Sequence, residues 1–262
     1  MVTPDENGKP GHGEAAANPD FRILHLYYDL MNLYGDWGNA DILARELNSR
    51  GKTAVIEKKS VGDNMDFSRY DFIYIGSGTE RSQCACMRYM AEHKEALVEQ
   101  VEAGTHVLAT GNSHELFGRA VTGNDGKRYE TIGLLDFETV QGSTRVTGDC
   151  VCVTTFLPEK LIGFVNRAGI GQKGEAERPF RMELGHGAND ESNAEGIMYK
   201  NLLGTYMTGP LLVRNPPLLK YIADSLISNS GLQPHGPARR TELFGYLKAA
   251  YDMALKELSA RR

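Results

Sequence analysis

Nothing in this sequence approaches the roughly 20 consecutive apolar residues that a membrane helix needs, so no membrane span is expected. Positive charge is also in short supply: 29 Lys and Arg stand against 34 Asp and Glu, a formal net charge of -5. The basic footprint of a nucleic-acid or anionic-membrane binder is therefore missing. The first 20 residues are rich in Gly, Pro, Asn and Glu and hold no apolar signal-peptide core, so residues 1–20 are expected as a disordered lead-in to a cytoplasmic protein. Cysteine is scarce. The four cysteines form two C-x-C pairs, Cys84/Cys86 and Cys150/Cys152, without the C-x-x-C spacing of zinc knuckles. The first pair falls in an expected helix, where residues two apart diverge, and the second in an expected strand, where they share a face. Both pairs are expected as reduced, buried small hydrophobes. No metal site and no cofactor is expected, and no internal repeat is present.

What is present is ordinary for a globular chain: 262 residues, 41% hydrophobic and 24% charged, ample for a sizeable core. The first half alternates in period. Residues 21–28 (FRILHLYY) read as a strand, followed by a loop, Asn32 to Asn39, whose Asp36 or Asn39 is placed to cap a helix running to about Arg50. Gly51 ends that helix, and residues 53–57 and 71–76 read as two more strands, the latter (DFIYIG) almost wholly apolar and hence buried on both faces. The turn Gly76-Ser77-Gly78-Thr79 leads into one long helix, 80–103, and then a fourth strand, 107–109. Strand–helix–strand alternation predicts an α/β fold with a mostly parallel sheet flanked by helices, with ligands at the carboxyl ends of the strands. After Gly118 the pattern changes: Asn124-Asp125-Gly126 is a hairpin signal, and residues 132–140, 145–154 and 161–167 read as added antiparallel strands. Residues 168–193 read as a long loop, 196–206 as strand, and 216–228 and 241–259 as helices. The expected division is a domain over 21–230 and a C-terminal helical extension over 231–262.

The stretch from His106 to Gly118 (HVLATGNSHELFG) has the form of a strand–turn–helix corner, which in many α/β enzymes lifts a nucleophile above the sheet. Here the corner residue is Gly111, which has no side chain. Several other stretches come in a telling order: Leu33-Tyr-Gly-Asp-Trp-Gly-Asn39, Gly76-Ser-Gly-Thr-Glu-Arg-Ser-Gln83, Gly133-Leu-Leu-Asp-Phe137, Arg145-Val-Thr-Gly-Asp149, Gly163-Phe-Val-Asn166, Gly185-His-Gly-Ala-Asn-Asp190 and Tyr199-Lys-Asn-Leu-Leu-Gly-Thr-Tyr-Met-Thr-Gly-Pro210. Together they resemble the class I glutamine amidotransferases of the CobB/CobQ type, and within them the GatD-type amidotransferase subunits of lipid II isoglutaminyl synthase.

The resemblance implies a cysteine at the corner that attacks the side-chain amide of glutamine, and a histidine in the late G-T-Y-x-H-G segment as its base. It implies an oxyanion hole of backbone N–H groups, and ammonia passed to a Mur-ligase-like (MurT-type) partner subunit. This sequence departs at both catalytic points: Gly111 stands at the cysteine position and Thr208 at the histidine position, so no catalytic pair is intact. The remaining candidates for an oxyanion or ligand site are Gly76, Ser77, Gly78, Asn112, Ser113, Arg145 and His186. Arg145 resembles an arginine near the family's active site, where its planar fork would hold a carboxylate or phosphate. Glu80 and Arg81 read as an exposed first helical turn, and His25, His93 and His106 as structural or exposed.

Three functions are carried forward. The first is an amidotransferase homologue without glutaminase activity, acting as a binding or regulatory subunit of a Mur-ligase-like amide ligase in peptidoglycan amidation. The second is an active glutaminase or other hydrolase with a relocated nucleophile, Cys84, Ser113 beside His114, or Thr208. The third is a stand-alone binder of a small amino acid or amide.

Overall fold

The computed structural model describes residues 18–171, 174, 176–189, 192–232 and 242–261. The expected lead-in lies outside the described residues except for 18–20. The first half runs β1 (Phe21–Leu26), α1 (Gly38–Ser49), β2 (Ala54–Lys59), β3 (Phe72–Ile75), α2 (Glu80–Met90), α3 (Lys94–Ala103) and β4 (His106–Thr110). A 3-10 helix, Gly111–Phe117, follows β4 directly, where the corner pattern leads to the expectation of an ordinary helix start. Next come β5 (Ala120–Thr122), β6 (Arg128–Glu130), β7 (Glu138–Thr154), β8 (Leu161–Gly171), β9 (Phe180–Leu184), β10 (Ala194–Glu195), β11 (Ile197–Tyr199), β12 (Leu202–Thr205) and β13 (Met207–Thr208). The chain ends with α4 (Leu211–Arg214), α5 (Pro216–Ser230) and α6 (Glu242–Ser259).

The main sheet has the order β11-β12-β4-β3-β1-β2. β1, β2, β3, β4 and β12 are mutually parallel, and β11 is the antiparallel edge. Side chains alternate across it as a pleat requires. Ile23, Phe72, Tyr74 and Leu108 face α1, α5 and strands of the second sheet, together with Leu43, Leu47, Leu219 and Ile222. Leu24, Ile73, Ile75 and Val107 face α2 and α3, meeting Cys86, Met87, Leu97 and Val101. The strands are apolar on both faces because both faces are covered.

The expected antiparallel strands are present, and they build a second sheet of their own. It has the order β10-β9-β7-β5-β6, with β8 paired to β7 and to β13. β5 and β6 form the hairpin around Gly126. Residues 138–154 are one strand rather than two, with its register shifted between Gln141 and Val146, while 132–137 are not strand. The reading of 168–193 as loop is corrected in two places: β8 continues to Gly171, and β9 lies within it.

The single long helix read over 80–103 is two helices, with Ala91, Glu92 and His93 between them. Met90 and Leu97 are both buried and seven residues apart, in phase for one continuous helix, so periodicity does not mark the break. The extension helix α6 packs Tyr251 and Leu258 against Val151 and Ile162 of the second sheet. The Tyr251 hydroxyl donates to the Lys160 carbonyl at 2.6 Å, and Arg261 pairs with Asp149 at 2.9 Å.

Candidate functional site

Three turns meet at the carboxyl edge of the main sheet: the loop after β1, the glycine turn after β3 and the corner after β4. The first two are joined by Asp36. Its Oδ2 accepts the backbone N–H and the hydroxyl of Ser77, both at 2.7 Å, and the Leu33 N–H donates to the Ser77 carbonyl at 3.0 Å. Asp36 is fully buried, and burial pushes its carboxyl up to about 7 against the opposing hydrogen bonds from Ser77. Gly76 is glycine because these loops touch: a Cβ there would lie 2.4 Å from the Met31 carbonyl oxygen.

The corner residue Gly111 has φ +63, the left-handed region that an L-residue enters only under strain. The next residue, Asn112, turns its Oδ1 toward the glycine turn and accepts the Gly78 N–H at 3.0 Å. The Ser77 and Gly78 backbone donors, expected for an oxyanion hole, are therefore both engaged within the protein.

Below the corner lies a buried polar layer. Glu115 accepts from Gln83 Nε2 at 2.6 Å and from the Tyr206 hydroxyl at 2.8 Å, and burial raises its carboxyl to about 7. Gln83 Nε2 also donates to the Asn112 carbonyl at 2.8 Å, and the Gln83 Oε1 accepts from Gln141. Glu195 accepts from Thr205 and from the Tyr206 N–H, and burial raises it likewise to about 7. Arg167 opposes both acids and Arg178 adds to it at Glu195; the Arg167 guanidinium lies 5.0 Å from the Tyr206 ring centroid and donates to the Gly169 and Gly187 carbonyls.

Between the corner and β8 is a cleft lined by Ser77, Gly78, Asn112, Glu115, Arg167 and Gly169, among others. Its free volume is about 10 Å³, the lower limit for one water. A partly exposed polar chain crosses its rim. Tyr34 hydroxyl accepts from Asn166 Nδ2 at 2.8 Å, Asn166 Oδ1 accepts from Arg145 Nε at 2.8 Å, and Arg145 pairs with Glu80 at 2.5 Å. Trp37, the single tryptophan, is 56% exposed on the same loop as Tyr34.

A CobB/CobQ-like glutamine amidotransferase domain matches residues 22–216. The chain belongs to that family. It is 31% identical over 219 residues to the lipid II isoglutaminyl synthase (glutamine-hydrolyzing) subunit GatD of Staphylococcus aureus, covering 81% of this chain and 87% of the relative. It is also 31% identical over 198 residues to the subunit of the same name from Streptococcus pneumoniae, covering 75% of this chain and 76% of that one. Among solved structures it is similar to PurLQS from Thermotoga maritima, with TM-score 0.54, 14% identity, 80% of this chain and 96% of that chain covered. A glutamine amidotransferase crystal structure matches at TM-score 0.53 and 15% identity, covering 80% of this chain and 99% of that chain. At such identities the structures speak to the fold alone, which is that of class I glutamine amidotransferases.

Of the sequence candidates, Ser77, Gly78, Asn112 and Arg145 line the cleft, and Gly76 supports its turn from beneath. Ser113 is buried, and its hydroxyl donates toward the Thr110 and Ile75 carbonyls, 2.8 and 2.9 Å away. His114 is buried as well; burial holds its imidazole down at about 4, and Nδ1–H donates to the Gly111 carbonyl at 2.7 Å. Thr208 donates its hydroxyl to the Phe164 carbonyl at 3.0 Å. Cys84 is half-buried on α2, with its thiol raised by burial, and His186 is exposed; neither lines the cleft. Among the described residues no cluster of metal-ligating side chains exists, and no helix is long and apolar enough to cross a membrane.

Gln83, Asn166 and Arg167 are site residues that sequence reasoning did not single out, and Asp36, expected with Asn39 as a helix cap, instead binds Ser77, the helix starting after Trp37 without a side-chain cap. Asp36, Gln83 and Asn166 lie in the family-like stretches, which was the available signal; Arg167 follows directly after one of them. Glu115 stands in the corner where the family resemblance implies a glutamine; its deep burial is what the sequence did not show.

Proposed function

We propose that this chain is a non-hydrolytic amidotransferase subunit that works by docking to a Mur-ligase-like amide ligase acting on a peptidoglycan precursor in the cytoplasm. The observation that carries this reading is Gly111 at the corner, a glycine at φ +63 with no side chain of its own to attack. Thr208, at the position where the family resemblance implies a histidine base, supports it, since its hydroxyl is held by a strand carbonyl. The relocated nucleophiles considered from sequence lend no support to an active hydrolase. Ser113 and Thr208 are tied to backbone carbonyls, and the Cys84 thiol is raised rather than lowered. The isoglutaminyl synthase relatives motivate the partner and the cell-wall setting.

The test has two parts. Purified chain, alone and mixed with the Mur-ligase-like protein of the same organism, is assayed for ammonia release from glutamine, and the mixture is run on analytical size exclusion. The expected result is a co-migrating complex with hydrolysis at the buffer blank in both samples. Glutamine turnover above the blank, or no complex at micromolar concentrations, overturns the reading.

A further inference from the structure

Glycine at the corner is only half of what closes this site. An ideal Cβ placed on Gly111 would lie 2.2 Å from the Ser77 Cβ, 3.1 Å from its Oγ and 3.2 Å from its Cα. The first distance is far below any real contact, and the atom responsible is a Cβ. No rotamer change moves a Cβ; only the backbone can. That backbone is anchored on each side. The Ser77 N–H and hydroxyl are bonded to Asp36, its carbonyl accepts from Leu33, and Gly76 before it is wedged against Met31 and Asp36. The Gly78 N–H after it is held by Asn112.

We propose that Ser77 is the residue that shuts the elbow. Its side chain occupies the space a nucleophile's Cβ would need, and Gly111 and Ser77 form an interlocked pair in which only one member carries a side chain. The consequence reaches beyond catalysis. With Ser77 in that space and Asn112 across the Gly78 donor, the space and the donor that would receive a substrate amide at the elbow are both taken by the protein's own groups. This rests on the elbow reading of Gly111 given above, but it makes a separate claim about Ser77.

Four proteins test it: wild type, Gly111→Cys, Ser77→Gly, and the double variant Ser77→Gly/Gly111→Cys. One aliquot of each is melted, and another, still folded, is treated at pH 9 with a chloroketone analogue of glutamine. In that reaction the thiolate sulfur displaces chloride and forms a carbon–sulfur bond. Working at high pH ionises the thiol without a neighbouring base, so Thr208 does not confound the outcome. Labelling is read by peptide mass at position 111, which separates it from Cys84.

The expected result is a Gly111→Cys protein that melts well below wild type and labels at 111 an order of magnitude more slowly than the double variant. The double variant regains most of the lost melting temperature. A Gly111→Cys protein as stable as the double variant and labelled as fast overturns the proposal. If Gly111→Cys does not fold while the double variant does, the proposal stands. If neither folds while Ser77→Gly alone does, Ser77 is not the obstacle and the proposal fails. Glutamine turnover by the wild type would overturn the proposed function instead, so the two failures are distinguishable.

Discussion

Asn112 caps the glycine turn: its amide oxygen accepts the Gly78 N–H at 3.0 Å, while its own backbone carbonyl accepts from Gln83. One residue thus ties the corner after β4 to both the turn after β3 and the helix α2. Asn112→Ala is expected to cost about 0.5–1.5 kcal/mol, the usual net worth of one such bond. Amide hydrogen exchange at Gly78 should accelerate in the variant, and glutamine hydrolysis should stay at the blank. Unchanged exchange at Gly78 would show that the bond does not persist in solution.

Three buried carboxyls make the fold sensitive to pH. Asp36 is raised from 3.8 to about 7, and Glu115 and Glu195 from 4.5 to about 7, each chiefly by burial. Between about pH 4 and about pH 7 the folded chain keeps protons that the unfolded chain has released, so stability falls as pH rises through that window. Below it the contribution is fully present, and above it the loss is complete. The buried imidazoles of His25, His106 and His114, held down at about 4, work in the opposite sense below about pH 6.5, so the reading is the pH 5 to pH 8 difference in urea stability of the wild type compared with that of a carboxyl variant. In Asp36→Asn the amide oxygen can still accept from Ser77 but cannot ionise, so its stability at pH 8 relative to pH 5 should exceed that of the wild type. An equal difference in both proteins would contradict the assignment to Asp36.

Arg167 is the buried counter-charge to two of those acids. Removing one member of such a network leaves the others uncompensated, so Arg167→Ala is expected to destabilise by about 3–5 kcal/mol. The measurement is chemical denaturation at pH 8, above the window in which both acids hold their protons. A loss under 1 kcal/mol would mean that Glu115 and Glu195 are neutral in the native protein and need no partner.

The rim pair Arg145–Glu80 should behave in the opposite way. Their side chains are 46% and 34% exposed, and solvent screens the attraction. A double-mutant cycle to Ala should give a coupling of roughly 0.2–1 kcal/mol, smaller still in added salt. A coupling well above this range would mark the rim as a rigid lid rather than a solvated latch.

The parallel half of the fold was legible because each strand and helix there announces itself locally. Ile23, Phe72, Ile75 and Val107 sit in short apolar runs between glycines and helical stretches, and β1 through β4 fall within two residues of the expected bounds. The second sheet was less legible for a physical reason. β7 contains a register shift between Gln141 and Val146, and a bulged strand reads as two. At the site, the late motif and the corner pointed to Gly111 and Thr208 only through the family resemblance. The occluding role of Ser77 was hidden, because it depends on the distance between two turns 34 residues apart, as marked by the Gly78–Asn112 bond. Sequence shows that Gly111 carries no side chain, but not which neighbour lies against it.

The order of strands in the main sheet has a consequence for how the chain is made. β4 pairs with β3 on one side, but its other neighbour, β12, is synthesised only after every strand of the second sheet except β13. Until residues 202–205 emerge, β4 presents an open row of backbone donors and acceptors, flanked by the apolar Val107 and Leu108. Such an edge invites pairing with another nascent chain, and a strand closed by so distant a partner folds late. The vulnerable species is therefore a ribosome-bound or truncated chain ending before residue 202, which would need a chaperone to shield that edge until β12 arrives.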